Sequence, residues 1–544
     1  MRCLHVLFLL LLLTFSVNLK AQTTQTAAVI NFTNSLPDWP FSHGVASGDP
    51  LPDAVIIWSR VSPDPETADF TIRVKWEMAK DKHFFQPVAS GETKTSIAQD
   101  FTVKVDVAGL QPGTYYYYRF EAYGKKSLPG RTKTTTNRGW EIPAGFASRG
   151  SLQSQKQQLP SPNEQVRLAV VSCNNYEAGY FNAFARIAAI PDLDAVVHLG
   201  DYIYEYGARA YGDSSLPRMH VPDHELLTLA DYRARYAQYR LDPDLQAAHG
   251  MHPFICVWDD HEIANNAHAE GAQNHQPEEG DFEARKRAAT QAYYEWLPVR
   301  ETNAPLYRQF SFGGMVDLFM LDERLAGREA PAPDKHRKHL QVERSMLGHN
   351  QREWLFSGLK QSAATWKIIG NQVLFAELQV LPVFPKAFVN LDAWDGYPAE
   401  RQAIKDFLAE NDIANVLFTT GDTHSAWCFD IPQHFRKYRK KRAGKIVAHE
   451  FAAPSITSAN FDEYKSPKTV RWIEGMLSKP GVNPHLRYLD LSQHGYLLLT
   501  LTPYDAVAEW RFVSDITRRT DAEFVGEKRV LRARYSNSLF VTKR

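Results

Sequence analysis

The chain has 544 residues and carries 62 basic and 62 acidic side chains, so its formal net charge is zero. That balance excludes a globally basic nucleic-acid binder and a protein drawn to anionic membranes by overall charge. Apolar residues make up 44% of the chain and aromatic residues 12%, which excludes a disordered protein.

The first 21 residues have the pattern of a secretory signal peptide. Arg2 supplies a positive charge, residues 6–17 form an apolar core too short to span a bilayer comfortably, and Ala21 closes a cleavage region. We predict cleavage after Ala21, a secreted or periplasmic protein, and no stable membrane anchor. A retained anchor is the alternative.

Cleavage leaves three cysteines, too few for a disulfide framework. Cys256 and Cys428 lie within apolar patterns and are predicted to be core residues, whereas Cys173 ends a predicted strand. At least one thiol must therefore be unpaired.

The N-terminal third indicates a small β domain behind a polar, flexible lead over residues 22–40. Between residues 41 and 136, short alternating runs separated by turn residues predict an immunoglobulin- or fibronectin-like β-sandwich. The runs are 54–58, 70–76, 101–107 and 115–120. The last contains four consecutive tyrosines, for which alternate packing in a strand is favoured over a carbohydrate-stacking face.

A linker rich in Ser, Gln, Pro and Gly is predicted over residues 137–165. Strand-like and helix-like segments then alternate over residues 166–515, which is typical of an α/β fold. Helices are predicted near 181–190, 231–240 and 282–297, and a hairpin near 496–513. The basic run 436–442 is interpreted as a solvated loop, and residues 516–544 as a C-terminal tail.

Five predicted strands end in residue types that bind metal ions. Gly200 allows a sharp exit from a buried strand, so Asp201 is expected at the edge of the sheet where ligands bind, with Tyr204 three residues on. The residues at the five ends are Cys173 with Asn174 and Asn175, Asp201 with Tyr204, Asp259–Glu262 with Asn265 and Asn266, Asn371 with Gln372, and Asp422 with His424.

Phosphate-ester chemistry needs such an array, because a shared carboxylate can hold two cations about 3.5–4 Å apart. Cys173, Tyr204 and His424 form a softer donor set that suits a ferric or similar ion. Asp260, Asp422 and an Asn carboxamide form a harder set that suits calcium, magnesium or manganese.

Three candidate site residues have open alternatives. Cys173 is either a ligand or a small buried hydrophobe. His261 is either a ligand or a general acid that protonates the leaving oxygen. Arg324 either binds phosphate or forms a structural ion pair with Asp322.

The motifs together resemble the alkaline phosphatase D family of calcineurin-like and purple-acid-phosphatase-like metallophosphoesterases. The resemblance covers most of the chain and rests on segments 44–50, 55–60, 171–176, 199–204, 258–262 and 421–424. It implies a four-layer α/β core with an N-terminal β-sandwich domain. The leader lacks the twin arginines frequent in this family, which implies general secretory export and metal loading outside the cytoplasm.

The resemblance also implies a site with Fe³⁺ and Ca²⁺, with Mn²⁺, Mg²⁺ or Zn²⁺ as alternatives. The implied iron ligands are Cys173, Asp201, Tyr204 and His424. Asp201 would bridge to the second ion, whose candidate ligands are Asp260, Asn265, Asn371 and Asp422. Which of Asp259, Asp260, Asn265 and Asn266 bind is left open. The expected catalytic residues are His261, Asp260 and Arg324.

The expected activity is that of a secreted alkaline phosphatase and phosphodiesterase, in which a metal-bound hydroxide attacks small phosphate mono- and diesters. We expect a monomer with no obligate nucleic-acid partner. The alternatives are a phospholipase D-like or nuclease-like diesterase and, from another class, a secreted carbohydrate-binding or adhesion protein.

Overall fold

The computed structural model describes residues 38–64, 71–137, 164–212, 215–301, 305–332, 343–379 and 390–534. The predicted signal peptide, nearly all of the lead and nearly all of the linker lie outside the described residues. No helix in these described ranges is long and apolar enough to cross a membrane.

The strands are β1 (Val45–Gly48), β2 (Ala54–Arg60), β3 (Thr71–Ala79), β4 (Pro87–Ser96), β5 (Thr102–Ala108), β6 (Tyr115–Ala122), β7 (Lys125–Lys126), β8 (Gly130–Lys133), β9 (Val166–Val171), β10 (Ala195–His198), β11 (Pro253–Cys256), β12 (Arg308–Phe312), β13 (Val316–Met320), β14 (Trp366–Asn371), β15 (Val416–Thr420), β16 (Ala426–Pro432), β17 (Ile446–Ala452), β18 (Leu486–Asp490), β19 (Gly495–Leu501), β20 (Asp505–Val513) and β21 (Glu523–Arg532).

The helices are α1 (Asn182–Ala188), α2 (Leu229–Arg240), α3 (Pro243–Met251), α4 (Phe282–Trp296), α5 (Gly348–Gln361), α6 (Pro398–Glu410), α7 (Phe435–Lys441), α8 (Phe461–Tyr464) and α9 (Pro467–Leu477). Local signals fix several starts. A capping box between Thr228 and Asp231 begins α2, and the Asp281 side chain caps α4.

Two large sheets form the body of the molecule. The first has nine strands in the order β21-β20-β19-β9-β10-β11-β1-β2-β5, and the second has seven in the order β12-β13-β14-β15-β17-β16-β18. Strands β9, β10 and β11 run parallel in the first sheet, as do β13, β14 and β15 in the second. Both trios are almost wholly buried and mostly apolar, as expected of parallel strands covered on both faces.

Helices cover the outer face of each sheet. One core packs α1–α4 and the nine-stranded sheet together with residues of the second sheet such as Leu318 and Ile368. A second core packs Leu355 of α5, Ile404 of α6 and Ile473 of α9 against the other face of the seven-stranded sheet. The resulting helix–sheet–sheet–helix order confirms the predicted four-layer α/β class.

The predicted N-terminal β-sandwich is also confirmed, and it shares a sheet with the rest of the molecule. Its inner sheet is β1-β2-β5, which continues the nine-stranded sheet because β1 pairs in parallel with β11. Its outer sheet is β4-β3-β6-β7, with β8 beside β6. The tyrosine run alternates in β6, where Tyr116 and Tyr118 are buried, as predicted for packing in a strand.

Several features differ from the sequence predictions. Edge strands β4 and β21 were not anticipated, because their mostly polar and exposed residues lack an apolar rhythm. Strand β21 therefore gives the C-terminal tail a regular element. The basic run forms the short exposed helix α7 rather than a loop, because its Lys and Arg side chains are good helix formers.

Candidate metal centre

The candidate ligands lie where the parallel strands of the two large sheets end. Cys173 follows β9, Asp201 follows β10, and Asp259 to His261 follow β11 in the first sheet. Asp422 and His424 follow β15 in the second sheet. The carboxyl ends of such strands are where open α/β sheets bind ligands.

The backbone at these strand ends is bent into an unusual conformation. Cys173, Asp201, Asp422 and His424 all have positive φ, between 56 and 59°. Such a conformation costs a non-glycine residue about 1–3 kcal/mol and is concentrated at functional sites. Gly200 has φ +103°, and a Cβ there would lie 2.2 Å from the amide nitrogen of Asp259, which explains why glycine precedes Asp201.

The first cluster, the softer pocket, comprises Cys173, Asp201, Tyr204 and His424. Ligand atoms of Cys173, Asp201 and His424 lie within 4.8 Å of one another. The Tyr204 hydroxyl donates to Asp201 Oδ2 at 3.2 Å, and the Cys173 thiol lies 3.4 Å from the same oxygen. Two groups that can lose a proton therefore point at one carboxylate oxygen.

Burial controls protonation in the softer pocket. It raises the pKa values of Cys173 and Tyr204, and the adjacent charge of Asp201 raises both further. Burial lowers the pKa of His424 to about 4, so its imidazole is neutral at neutral pH. His424 Nδ1 donates to the carbonyl of Ala459 at 2.9 Å, which leaves the Nε2 lone pair for a metal ion.

The second cluster, the harder pocket, comprises Asp259, Asp260 and Asp422 with the guanidinium of Arg324. Ligand oxygens of the three acids lie within 4.8 Å of one another. Arg324 Nε donates to Asp259, and its Nη2 lies 3.6 Å from Asp260 and 3.7 Å from Asp422. Asp259 Oδ2 and Asp260 Oδ1 are buried without a hydrogen-bond partner among the described residues.

The pKa values of the acids in the harder pocket are shifted in opposite directions. Burial raises the pKa of Asp422 to about 7 and also raises that of Asp259. Burial acts in the same sense on Asp260, but Arg324 and His261 lower the pKa of that carboxyl below its ordinary value. Crowded buried carboxylates with unpartnered oxygens fit a hard cation, which would supply the missing contacts.

Comparison with known proteins identifies the family to which this chain belongs. Residues 168–510 match the family model of the PhoD-like phosphatases, and residues 25–136 match the N-terminal domain of the same family. The chain belongs to the PhoD-like phosphatase family.

The PhoD-like phosphatase assignment agrees with a relative and with a solved structure. The chain is 34% identical to alkaline phosphatase D of Bacillus subtilis (strain 168), over 94% of this chain and 85% of that protein. A solved structure titled "Structure of PhoD" matches with a TM-score of 0.78 and 32% identity, over 93% of this chain and 94% of that one. The chain is a metal-dependent hydrolase of the phosphatase class, and its predicted fold class is confirmed.

In this PhoD-like phosphatase, five of the eight predicted metal ligands lie in the softer and harder pockets, namely Cys173, Asp201, Asp260, Asp422 and His424. Tyr204, a sixth predicted ligand, contacts this set through its hydrogen bond to Asp201. Asp201 belongs both to the softer pocket and to a third cluster with Asp260 and His261, so it lies between the two pockets. That position suits the bridging role implied by the family resemblance.

The two predicted asparagine ligands have other contacts. The carboxamide of Asn371 accepts from the Trp394 indole at 2.9 Å and donates to Thr420 at 3.0 Å. The Asn265 side chain donates to Gln273 at 3.1 Å. A metal ion binds a carboxamide through its oxygen. The Trp394 indole already contacts the oxygen of Asn371, whereas the bond from Asn265 to Gln273 uses the nitrogen, and ligation by either residue stays a prediction.

Arg324 is completely buried, and its partners differ from the one expected. Its Nη1 donates to Asp392 at 2.7 Å, and Asp392 also contacts Arg328. Asp322 instead accepts from the backbone amides of Arg324 and Leu325. These contacts favour an ion-pair role with Asp259 and Asp392, and phosphate binding by Arg324 stays a prediction.

Two further carboxylates organise the site, and the sequence pattern assigned neither of them a role because they lack a distinctive spacing. Glu262 accepts from the backbone amides of Asp201, Tyr202 and Asp259 at 2.6–3.0 Å and so ties the ends of β10 and β11 together. Glu205 accepts from His261 Nδ1 at 2.7 Å, which leaves Nε2 as the nitrogen that can face a substrate. Both could have been suspected only from their position beside Asp201 and Asp260.

The remaining interpreted residues are structural. His198 contacts Asn174 at 2.7 Å and is fully buried. Cys256 and Cys428 are buried core residues and are not disulfide-bonded, which confirms their interpretation.

Proposed function

We propose that this PhoD-like phosphatase hydrolyses small phosphate mono- and diesters outside the cytoplasm, with Fe³⁺ in the softer pocket and Ca²⁺ in the harder pocket. The observation that carries the proposal is the position of Asp201, whose carboxylate participates in clusters on both sides. One carboxylate shared by two groups of ligands is the arrangement that a two-cation phosphoesterase requires.

The donor chemistry supports different ions in the two pockets. A thiol, a phenol and a neutral imidazole surround Asp201 on one side, and on the other the candidate ligands are three carboxyl groups beside the Arg324 guanidinium. When bound, the two cations would provide a nucleophile near neutral pH and stabilise the charge of the phosphoryl group. Mn²⁺, Mg²⁺ or Zn²⁺ in place of either ion remain alternatives.

His261 is proposed as the general acid. Burial tends to lower its pKa, but the charges of Asp260 and Glu205 outweigh burial and raise the pKa above its ordinary value. Glu205 holds Nδ1, so a proton on Nε2 is available to a leaving oxygen. Tyr204 packs against the imidazole with ring centroids 4.3 Å apart, which fixes the direction of that proton.

Hydrolysis of 4-nitrophenyl phosphate and bis-4-nitrophenyl phosphate tests the activity. We expect turnover that is lost on chelation, restored by iron with calcium, and absent in Asp260→Asn. Asp317→Asn is the matched control. Asp317 is a buried aspartate near the amino end of β13, away from the carboxyl ends of the strands that carry the candidate ligands, and it accepts a hydrogen bond from Ser362. Turnover of neither substrate, or turnover that survives complete metal removal, would contradict the proposal.

Substrate and location are proposed with the activity. We propose that the protein acts as a monomer on small phosphate esters, after export and cleavage following Ala21. A mature protein that begins at Gln22 on N-terminal sequencing would support export. The alternative is a diesterase of phospholipase D-like or nuclease-like type. Such an enzyme would prefer diesters to monoesters in the hydrolysis assay, and the preference would persist with bulky leaving groups.

A further inference from the structure

One loop, residues 455–460, contacts the three non-bridging residues of the softer pocket. The backbone amide of Ser458 donates to the carbonyl of Cys173 at 3.1 Å. His424 Nδ1 donates to the carbonyl of Ala459 at 2.9 Å. The Ser458 hydroxyl donates to the phenolic oxygen of Tyr204 at 2.5 Å. We call this segment the pocket loop.

The pocket loop is buried and held at both ends. Ser455, Thr457 and Ser458 have no exposed surface. The Thr457 hydroxyl donates to the carbonyl of Asn175 at 2.7 Å, and the amide of Ile456 donates to the carbonyl of Ser172. Such a loop can hold a side chain in one position, because few of its polar groups could change partners without being left unpaired.

A further chain of contacts fixes the start of the pocket loop. The Ser455 hydroxyl contacts His494 Nδ1 at 2.9 Å, and His494 Nε2 contacts Glu463 at 2.8 Å. The Ser455 hydroxyl also lies 2.6 Å from the carbonyl of Ser458. Ser455 is therefore occupied within the loop, and Ser458 is the loop hydroxyl directed at Tyr204.

The Tyr204 hydroxyl forms two hydrogen bonds. Its hydroxyl donates to Asp201 Oδ2, so the same oxygen accepts from Ser458. A cation that replaces the phenolic proton would remove the contact to Asp201 as a hydrogen bond but not the one from Ser458. Groups next to a ligand orient it and tune the metal in this way.

We propose that Ser458 is a positioning residue for Tyr204: its hydroxyl holds the phenol towards the softer pocket and reduces electron donation from the phenolate to the metal. The inference rests on the iron site proposed above. It concerns this chain's own residues, and its tests need no turnover.

The consequence is spectroscopic. A hydrogen bond to a phenolate stabilises its electrons, so transfer of an electron to ferric iron requires more energy. Loss of the bond should therefore move the tyrosinate–iron absorption band to longer wavelength. Loss of an outer partner of a metal ligand also typically lowers metal affinity by about 10–100-fold.

The test compares three purified, iron-loaded variants with the wild type. Ser458→Ala should shift the band to longer wavelength and release iron to a chelator at lower chelator concentration. Ser458→Thr keeps a hydroxyl and should return the band towards its wild-type position. Thr457→Val, which removes the neighbouring buried hydroxyl and its bond to Asn175, is the matched control and should leave the wavelength unchanged.

Folding of each variant is checked by its thermal unfolding. An unshifted band in folded Ser458→Ala, or an equal shift in Thr457→Val, would overturn the role of Ser458 while leaving the iron site intact. Absence of any such band in the wild type would overturn the iron–tyrosinate site and the role of Ser458 with it. The two failures are thus distinguishable.

Discussion

Asp201 lies between the softer and harder pockets, and the two pockets limit their buried charge in different ways. No arginine or lysine forms a salt bridge with Asp201 among the described residues, and the thiol and phenol beside it have raised pKa values. The harder pocket instead contains the guanidinium of Arg324 within 3.7 Å of Asp260 and Asp422. The softer pocket limits its charge by protonation alone, whereas in the harder pocket the Arg324 guanidinium offsets carboxylate charge and the pKa values of Asp259 and Asp422 are raised as well.

This difference indicates which ligand preferences a cation must have to bind in each pocket. Binding to the softer pocket must displace protons from Cys173 and Tyr204, which favours an ion that holds thiolate and phenolate strongly. Binding to the harder pocket must compete with or complement Arg324, which a calcium ion can do through unpartnered carboxylate oxygens. The pockets should therefore respond differently to mutation, pH and chelation.

The largest expected effect comes from the residue that joins the pockets. Asp201→Asn removes the shared charge, so both cations should be lost. We expect kcat/KM for 4-nitrophenyl phosphate to fall by at least about 10⁴-fold, because two contributions of several kcal/mol disappear together. Retention of either metal at full occupancy, by elemental analysis, would contradict a shared ligand.

Arg324→Gln should break the harder pocket. It leaves Asp259 buried without its charged partner and Asp392 paired with Arg328 alone, and loss of one member of a buried ion pair typically costs about 3–5 kcal/mol. Urea unfolding of the metal-free protein measures this loss. Arg487→Gln is the control, since its pair with Asp430 is partly exposed and should contribute about 0–1 kcal/mol. Equal losses in the two variants would refute the special role of Arg324.

His261→Ala should separate two classes of substrate. An alkoxide needs a proton to leave, whereas a nitrophenolate leaves largely without help, and general acids contribute about 10²–10⁴-fold. We expect hydrolysis of an alkyl phosphate to fall about 10²-fold more than that of 4-nitrophenyl phosphate, with metal content unchanged. Equal losses on both substrates would remove the proton-donor role, and equal losses with reduced metal would indicate a ligand.

The smallest effect is a pH dependence that the metal-free protein should show more strongly than the metal-loaded protein. The folded pKa of Asp422 is about 7, above its unfolded value of about 3.9. Its stabilising contribution is therefore complete below pH 4 and is lost as the pH rises through 7. Asp259 acts in the same direction, whereas the lowered pKa of Asp260 places its effect at acidic pH.

We expect the Tm of the chelated protein to fall by a few degrees between pH 5 and pH 8.5. The metal-loaded protein should lose less over the same range, since bound cations keep the carboxylates ionised. Differential scanning calorimetry measures both curves. A Tm of the chelated protein that rises with pH would show that acid crowding does not govern the harder pocket.

The sequence predicted the parts of this molecule that have a local pattern. Buried strands such as β10 and β11 are recognisable from their apolar runs, and a polar residue at such an end is a visible signal. Asp201, Asp260 and His424 were found in this way. The pairing of β1 with β11 joins segments about 200 residues apart, and no local pattern encodes such a contact.

The pocket loop shows the limit of sequence patterns at the site itself. Ser458 is a small polar residue in a segment of small residues, and its function comes from the hydrogen bond to Tyr204, 254 positions away. Arg324 was recognised as a candidate, but its partners were not, because Asp259 and Asp392 reach it only through the tertiary fold. Contacts between distant strand ends decide both cases.

The central claim, two unlike pockets joined at Asp201, is tested most directly by the metal content of three preparations. Wild-type protein should contain iron and calcium and show a tyrosinate–iron absorption band. Tyr204→Phe should lose the band while it keeps its fold and its calcium, and Asp422→Asn should lose calcium while it keeps the band. Wild-type protein without iron, or loss of the same metal in both variants, would contradict the claim.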